Sequence, residues 1–176
     1  REVDRLNTLI TNFLDFSRPR TLNIVDSDLV ELTGDVIDLF KNNKSSEVVE
    51  VEFYPRDHAG TPLEEAPAPV DREAFRQILW NLLNNAREAM LETTAERRIR
   101  VRLTPSDAHW SIAIEDNGPG IDADAAERVF EPFFTTKDTG TGLGLATIHR
   151  LVEQHNGHIH VARATELQGA RFEIEL

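Results

Sequence analysis

The chain has no cysteine, one methionine, one tyrosine and two tryptophans among its 176 residues. Without cysteine there is no disulfide, no thiol nucleophile and no thiolate-bound zinc, a usage that fits a reducing compartment and sets the expectation of a cytoplasmic protein. Basic residues are also short: 19 Lys and Arg face 31 Asp and Glu, a formal charge of −12. Nucleic-acid surfaces need clustered cations, so no nucleic-acid partner is expected. No stretch approaches the roughly 20 apolar residues that cross a bilayer, and no secretory leader opens the sequence, so no membrane contact by this chain is expected, whatever tethers a longer parent. There are no internal repeats. The length suits one domain with a real core plus an appendage. Glycine is sparse, nine in all, and it gathers in one place.

Between Asp116 and Leu145 the chain reads D-N-G-P-G at 116–120, F-E-P-F-F-T-T-K at 130–137 and G-T-G-L-G-L at 140–145. Gly118 and Gly120, separated by Pro119, suit a sharp turn at a strand end. Gly140, Gly142 and Gly144 precede the run Leu143, Leu145, Ala146, Ile148, Leu151, Val152, whose spacing predicts a helix. Bare glycines at a helix start expose backbone N–H groups, and the helix dipole adds partial positive charge, a natural phosphate site. Most glycine clusters are only turns, so this reading needs a second element.

That element is a helix predicted over 71–91. Asp71 is placed to cap it, and Ala74, Phe75, Ile78, Leu79, Leu82, Leu83, Ala86 and Met90 form its apolar stripe. Asn81, Asn85 and Glu88 share another face. Asparagine is a mediocre helix former. Alone, such a face reads as solvated; beside the glycine loop it reads as oxygen donors holding a magnesium ion between helix and phosphates. The strand predicted at 109–116 ends in a similar way. Asp116 has the parity of Trp110, Ile112 and Ile114, so it points to the core side where the chain turns. A carboxylate there caps the turn, is otherwise paired, or faces a cavity, because an unpaired buried charge is costly.

In order and spacing, N-L-L-N-N-A-R-E-A at 81–89 and the three segments above resemble the N, first glycine, F and second glycine boxes of the sensor histidine kinase catalytic domain, over about Leu29 to Leu176. The resemblance implies an α/β (α+β) two-layer sandwich of the Bergerat type: a mixed, mostly antiparallel sheet with helices on one face and water on the other, preceded by a helical stub. It implies Mg-ATP as ligand, held by Asn81, Asn85, Asp116, Gly118, Gly120, Ile121, Thr136, Lys137, Gly140, Thr141, Gly142, Leu143, Gly144 and Leu145. Asn85 matches the magnesium ligand, Asp116 the acceptor of the adenine amine, and Asn81 and Lys137 serve the transfer. Backbone N–H groups from Gly142 to Leu145 hold phosphates. Hydrolysing relatives of the gyrase, mismatch-repair and heat-shock chaperone kinds carry a water-activating glutamate where Asn81 stands. An amide cannot take that proton, so the γ-phosphoryl is left for an imidazole. The wording of the boxes is most like kinases of the nitrogen-regulation type.

The resemblance also implies partners: the chain's own dimerisation and histidine-phosphotransfer domain, a cognate response regulator, and a second copy in the full-length kinase. None of His58, His109, His149, His155, His158 and His160 lies on a helix ahead of an acidic residue, so the chain is expected to donate phosphate to a histidine elsewhere. His158 and His160 lack a third ligand and read as surface imidazoles. Glu88 departs from the pattern, since many relatives carry a cation there. It pairs with a residue such as Lys137 or Arg128, or joins the ion's outer shell. An ATPase switch of the same superfamily and a nucleotide-binding pseudokinase are the competing functions.

The remaining chain is read around these boxes. Residues 1–18 predict a helix with Val3, Leu6, Ile10, Phe13 and Ser17 on a seam, ended by Pro19, like the tail of the second dimerisation helix. Residues 19–28 are a linker and a strand through Leu22, Ile24 and Val25. Asp28 caps a helix over 29–43 that buries Leu29, Leu32, Val36, Ile37, Leu39 and Phe40. Val49, Val51 and Phe53 alternate as a strand; 55–69, with four prolines, is a loop with a short strand at 61–66. Ile99, Val101 and Leu103 alternate with Arg98, Arg100 and Arg102, placed opposite Glu50 and Glu52 or Glu173 and Glu175. Strands follow at 158–163 and 170–176. Residues 121–141 form a lid, with Asp122 capping a short helix through Ala125, Ala126, Arg128 and Val129, and Phe130 and Phe133 or Phe134 as anchors.

Overall fold

The computed structural model describes residues 21–43, 49–91, 96–137 and 140–176. The helix expected over 1–18 lies outside them. Along the chain come β1 (Val25–Asp28), α1 (Leu29–Asn42), β2 (Val49–Pro55), β3 (Pro67–Val70), α2 (Arg72–Ala89), β4 (Arg97–Ser106), β5 (His109–Asp116), α3 (Ala123–Arg128), α4 (Gly144–Gln154), β6 (His158–Arg163) and β7 (Ala170–Glu175).

Five strands form one sheet in the order β2-β4-β5-β7-β6, with β2 and β4 parallel and the other neighbours antiparallel. β1 and β3 make a separate antiparallel pair. α2 packs on β4 and β5 and lies between α1 and α4, so the helices form one layer over one sheet face. This is the expected two-layer, mostly antiparallel architecture. Its core joins Ile99, Val101, Leu103, Ile112, Ile114, Phe172 and Ile174 of the sheet to Leu29, Leu32, Phe75, Ile78, Leu82, Ile148 and Leu151 of the helices. Each such buried side chain contributes about 1.5–3 kcal/mol relative to exposure.

The helix starts follow from two aspartates. Asp28 accepts the Val30 N–H at 2.9 Å and, through the same oxygen, the Ala66 N–H at 2.8 Å. Asp71 accepts the Ala74 N–H at 2.8 Å. Both caps were legible, but three local expectations fail. The first strand starts at Val25, with Ile24 exposed. Leu39 is 62% exposed, so the buried stripe of α1 is narrower than its apolar content suggests. No strand spans 61–66; there is one bridge, Arg56 to Pro62, and the strand lies at Pro67–Val70. Prolines 67 and 69 are tolerated because a two-stranded pair leaves an edge where a missing N–H breaks no ladder.

The far sheet face also differs from expectation. Arg100 pairs with Glu52 of β2 at 2.9 Å, as expected, and with Glu166 from the β6–β7 connection. Glu173 and Glu175 lie one strand further away, so they do not face the β4 arginines. Arg102 instead meets Glu115 of β5 at 3.1 Å, and Arg171 of β7 meets the same oxygen at 2.5 Å. Glu115 is fully buried, and Ser111 and Ala113 beside it are nearly so. The middle of this face is therefore closed over by paired charges rather than open to water.

Candidate functional site

The end of β5 delivers Asp116 to the helical side of the sheet, where it is 3% exposed. Its Oδ1 accepts the Gly118 N–H at 2.9 Å and the Ala170 N–H at 3.1 Å. Burial pushes its carboxyl pKa above the ordinary value, and the two N–H bonds offset part of that rise. Both bonds converge on one oxygen, leaving Oδ2 for another donor. The turn beneath it is tightly built. Gly120 has φ +82°, in the left-handed region that a side chain disfavours. A Cβ on Gly169 would stand 2.2 Å from Asp116 Oδ1 and 2.3 Å from its carbonyl oxygen. Gly169 also donates its N–H to that carbonyl at 3.1 Å. Gly169 and Ala170 were not singled out from the sequence; a glycine immediately before the last strand was the available signal.

α2 presents three asparagines in different conditions. Asn84 is satisfied within the helix: its Nδ2 donates to the Trp80 carbonyl at 2.7 Å and its Oδ1 accepts from Arg87 at 2.5 Å. Asn81 and Asn85 have no side-chain hydrogen bond among the described residues. The Asn85 Nδ2 is buried without a partner. A buried amide end left unmatched costs about 1–3 kcal/mol, and a half-turn about its terminal torsion exchanges carbonyl and amine. The carbonyl oxygen at the other end of this amide is the ligand type that magnesium takes, alongside several waters that it keeps. The donor set therefore fits the ion that the resemblance implies.

The three glycines before α4 divide the work differently from the expectation of uniformly bare N–H groups. A Cβ on Gly140 would strike Thr135 Oγ1 at 2.2 Å, and one on Gly142, whose φ is +67°, would lie 2.3 Å from the Phe133 carbonyl carbon. These two glycines admit the F box against the loop; Phe133 N–H donates to Gly142 O at 2.9 Å. Gly144 differs, since a Cβ there would meet nothing within 4 Å. It opens α4 behind Leu143, whose side chain makes no capping bond. The unpaired N–H groups and open space expected for a phosphate coincide at Gly144 to Ala146.

Asp122 caps α3 through the Ala125 N–H at 2.8 Å, as expected. Of the aromatics, Phe130 packs on the core and on His149, at 5.3 Å between ring centroids, while Phe133 is 59% exposed, so it is not an anchor. Arg128 stays local, 3.2 Å from Glu131 and stacked 4.6 Å over Phe134. Lys137 reaches across instead, placing Nζ 2.6 Å from Glu88 Oε2 on α2. Thr136 and Thr141 lie on the same connection; Thr141 Oγ1 accepts the Leu143 N–H at 3.4 Å. Ile121 is half-buried against the core.

His155 has a structural task that the sequence pattern did not reveal. Its Nε2 accepts the Asp71 N–H at 3.0 Å and its Nδ1 lies 2.7 Å from the Leu151 carbonyl, so Nδ1 carries the proton and α4 is tied to the start of α2. His158 and His160 join no group of three metal-binding side chains among the described residues. A cleft of about 600 Å³ between α1 and α2, lined by Asp35, Leu39, Arg76 and Trp80, shares no residue with this site. No described helix is long and apolar enough to cross a membrane.

Residues 70–176 match the family model described as histidine kinase-, DNA gyrase B-, and HSP90-like ATPase. The sensor histidine kinase ZraS of Escherichia coli O157:H7 is 38% identical over the whole chain, which spans 36% of that protein. Among solved structures, full-length ShkA in complex with AMPPNP superposes with a TM-score of 0.79 at 28% identity, covering 98% of this chain and 35% of that one. Histidine kinase ThkA in complex with the response regulator protein TrrA gives a TM-score of 0.75 at 27% identity, covering 99% and 48%.

Proposed function

The chain belongs to the family of histidine kinase-, DNA gyrase B- and HSP90-like ATPases, and from that premise we propose that it binds Mg-ATP and gives the γ-phosphoryl group to a histidine on a dimerisation domain, for relay to a response regulator. The observation that carries the nucleotide reading is the unpartnered buried amide of Asn85. ShkA's complex with an ATP analogue supports the same reading, and ThkA's complex with TrrA supports a response regulator as downstream partner. The domain division that goes with it has residues 1–18 as the end of a dimerisation helix, 19–28 as linker and first strand, and 29–176 as the catalytic domain. The parent acts as a homodimer in this reading.

In it, Asp116 accepts the exocyclic amine of adenine on Oδ2, which selects ATP over GTP. Ile121 and the turn of Gly118 and Gly120 line the base. The N–H groups of Gly144 and Leu145 hold phosphate oxygens at the start of α4, with Thr136, Gly140, Thr141, Gly142 and Leu143 alongside. Asn85 would hold magnesium, which when bound would neutralise charge on the phosphates. Lys137 stabilises charge on the transferring group. The acceptor imidazole nitrogen bonds to the γ-phosphorus while the bridging oxygen leaves with ADP. Asn81 cannot accept a proton from water, which disfavours hydrolysis and supports a kinase over an ATPase switch.

The test mixes the chain with γ-labelled ATP and magnesium, with and without a separately made histidine-bearing hairpin from its parent. Label on the hairpin, little free phosphate and none on this chain is the expected result. Free phosphate without transfer would favour the ATPase, and binding with neither product the pseudokinase.

A further inference from the structure

Glu88 sits on the face of α2 that carries Asn81 and Asn85, one turn beyond Asn85, and its carboxylate holds Lys137 at 2.6 Å. The pair joins positions 49 apart in sequence. It is placed from both ends. Glu88 is fixed by the helix, and the backbone of Lys137 is fixed by its N–H to Thr135 Oγ1 at 3.1 Å and by the Gly140 N–H to its carbonyl at 3.1 Å. Between Ile121 and Lys137 the chain has only two cations, and Arg128 is committed to Glu131 and the Phe134 ring. A polyphosphate arriving between the Asn85 face and the start of α4 comes close to a carboxylate that repels it and to an ammonium that this carboxylate already holds.

We propose that Glu88 is a counter-ion that holds Lys137 before nucleotide binds and yields it to the phosphates, so that Glu88 sets nucleotide affinity and its dependence on phosphate charge. The inference rests on the nucleotide reading above and adds to it the residue against which the phosphates compete. Both side chains are partly exposed, 49% for Glu88 and 38% for Lys137, so the exchange costs only what a surface ion pair contributes. The corresponding effect on affinity is about two- to fivefold. It grows with ligand charge, because a triphosphate draws the ammonium away more strongly than a monophosphate. Salt screens it.

Glu88 is a positioning residue here, acting through Lys137, and its test is a double-mutant cycle on affinity. Calorimetry with magnesium and ATP, ADP or AMP compares the wild type with E88Q, K137Q and the double variant. The expected outcome is ATP binding about two- to fivefold tighter in E88Q, with a smaller gain for ADP, no change for AMP, and a smaller gain for ATP when E88Q is made in the K137Q background. Equal gains in both backgrounds would mean that Glu88 acts on the phosphates without Lys137, and would overturn the exchange. Weaker ATP binding in E88Q would overturn it too, by placing Glu88 in the metal's outer shell. Either failure with normal wild-type binding leaves the nucleotide site standing. Absence of Mg-ATP binding by the wild type itself would remove both.

Discussion

Asp116 carries opposed demands on one side chain. Burial raises its pKa, so the folded chain keeps the proton to higher pH than the unfolded chain does. Folding then takes up a proton between the ordinary carboxylate value and the raised one, and stability falls as pH rises through that window. Asp116→Asn removes this cost while its amide oxygen can keep the Gly118 and Ala170 N–H bonds. Its apo melting temperature at neutral pH is expected to equal or exceed that of the wild type. ATP binding is expected to move the other way, weakening about ten- to a hundredfold, since a hydrogen bond to a charged acceptor contributes about 1.5–3 kcal/mol. Parallel melts and ATP calorimetry check both signs, and a variant that melts lower yet binds ATP normally would contradict the assignment. Gly169 bears on the same carboxylate. Its hydrogen would be replaced by a methyl 2.2–2.7 Å from three Asp116 atoms, two of them backbone. Gly169→Ala is expected to cost about 1–3 kcal/mol in urea denaturation and to weaken ATP binding along with stability, the loss of both distinguishing it from Asp116→Asn.

Elements are joined mainly at their ends. Asp71 accepts N–H groups from Ala74 and from Asn23, both at 2.8 Å, and donates its own N–H to His155. One residue thus caps α2, holds the segment leading into β1, and anchors the end of α4. Asp71→Ala is expected to destabilise the chain by about 2–4 kcal/mol, more than the about 1 kcal/mol of an ordinary cap, because the Asn23 and Ala74 N–H groups both lose their acceptor. Denaturant melts measure it, and a loss no larger than a simple cap would show that solvent replaces the Asn23 bond. The cap was readable because it depends on residues 71–74 alone. The Asn23 and His155 bonds were not, since each joins positions 48 or 84 apart in sequence. β3 was missed for the opposite reason. Its prolines are a strong local signal against a strand, and only pairing with β1 makes Pro67–Val70 extended.

Across the whole molecule, the four segments of the candidate site could be picked out because each is a local string, while the sheet and helix layer bring the segments together. Local strings identify Asn85, Asp116 and the glycine loop. They do not show that Gly142 is packed under Phe133 while Gly144 stands open, or that β5 buries Glu115 between arginines from β4 and β7. The first depends on how the loop folds back on itself, and the second on strand order, which alternation does not determine. Because the segments come from α2, β5, the F box and α4, a ligand that touches all four adds its binding energy to the stability of the whole fold. At a hundred times its dissociation constant, Mg-ATP is expected to stabilise the chain by about 2.7 kcal/mol, raising the melting temperature by about 5–10 °C for a domain of this size. Mg-GTP is expected to give no comparable shift if Asp116 accepts the adenine amine as proposed, since guanine has a carbonyl there. In Asn85→Ala the difference between ATP with magnesium and ATP with chelator is expected to vanish, while the apo melting temperature stays at or above the wild-type value, because the variant removes a buried unpaired amide. A thermal-shift series over the two nucleotides, with and without magnesium, separates these outcomes. An equal shift with GTP would displace adenine from Asp116, and an undiminished magnesium effect in the variant would displace the ion from Asn85.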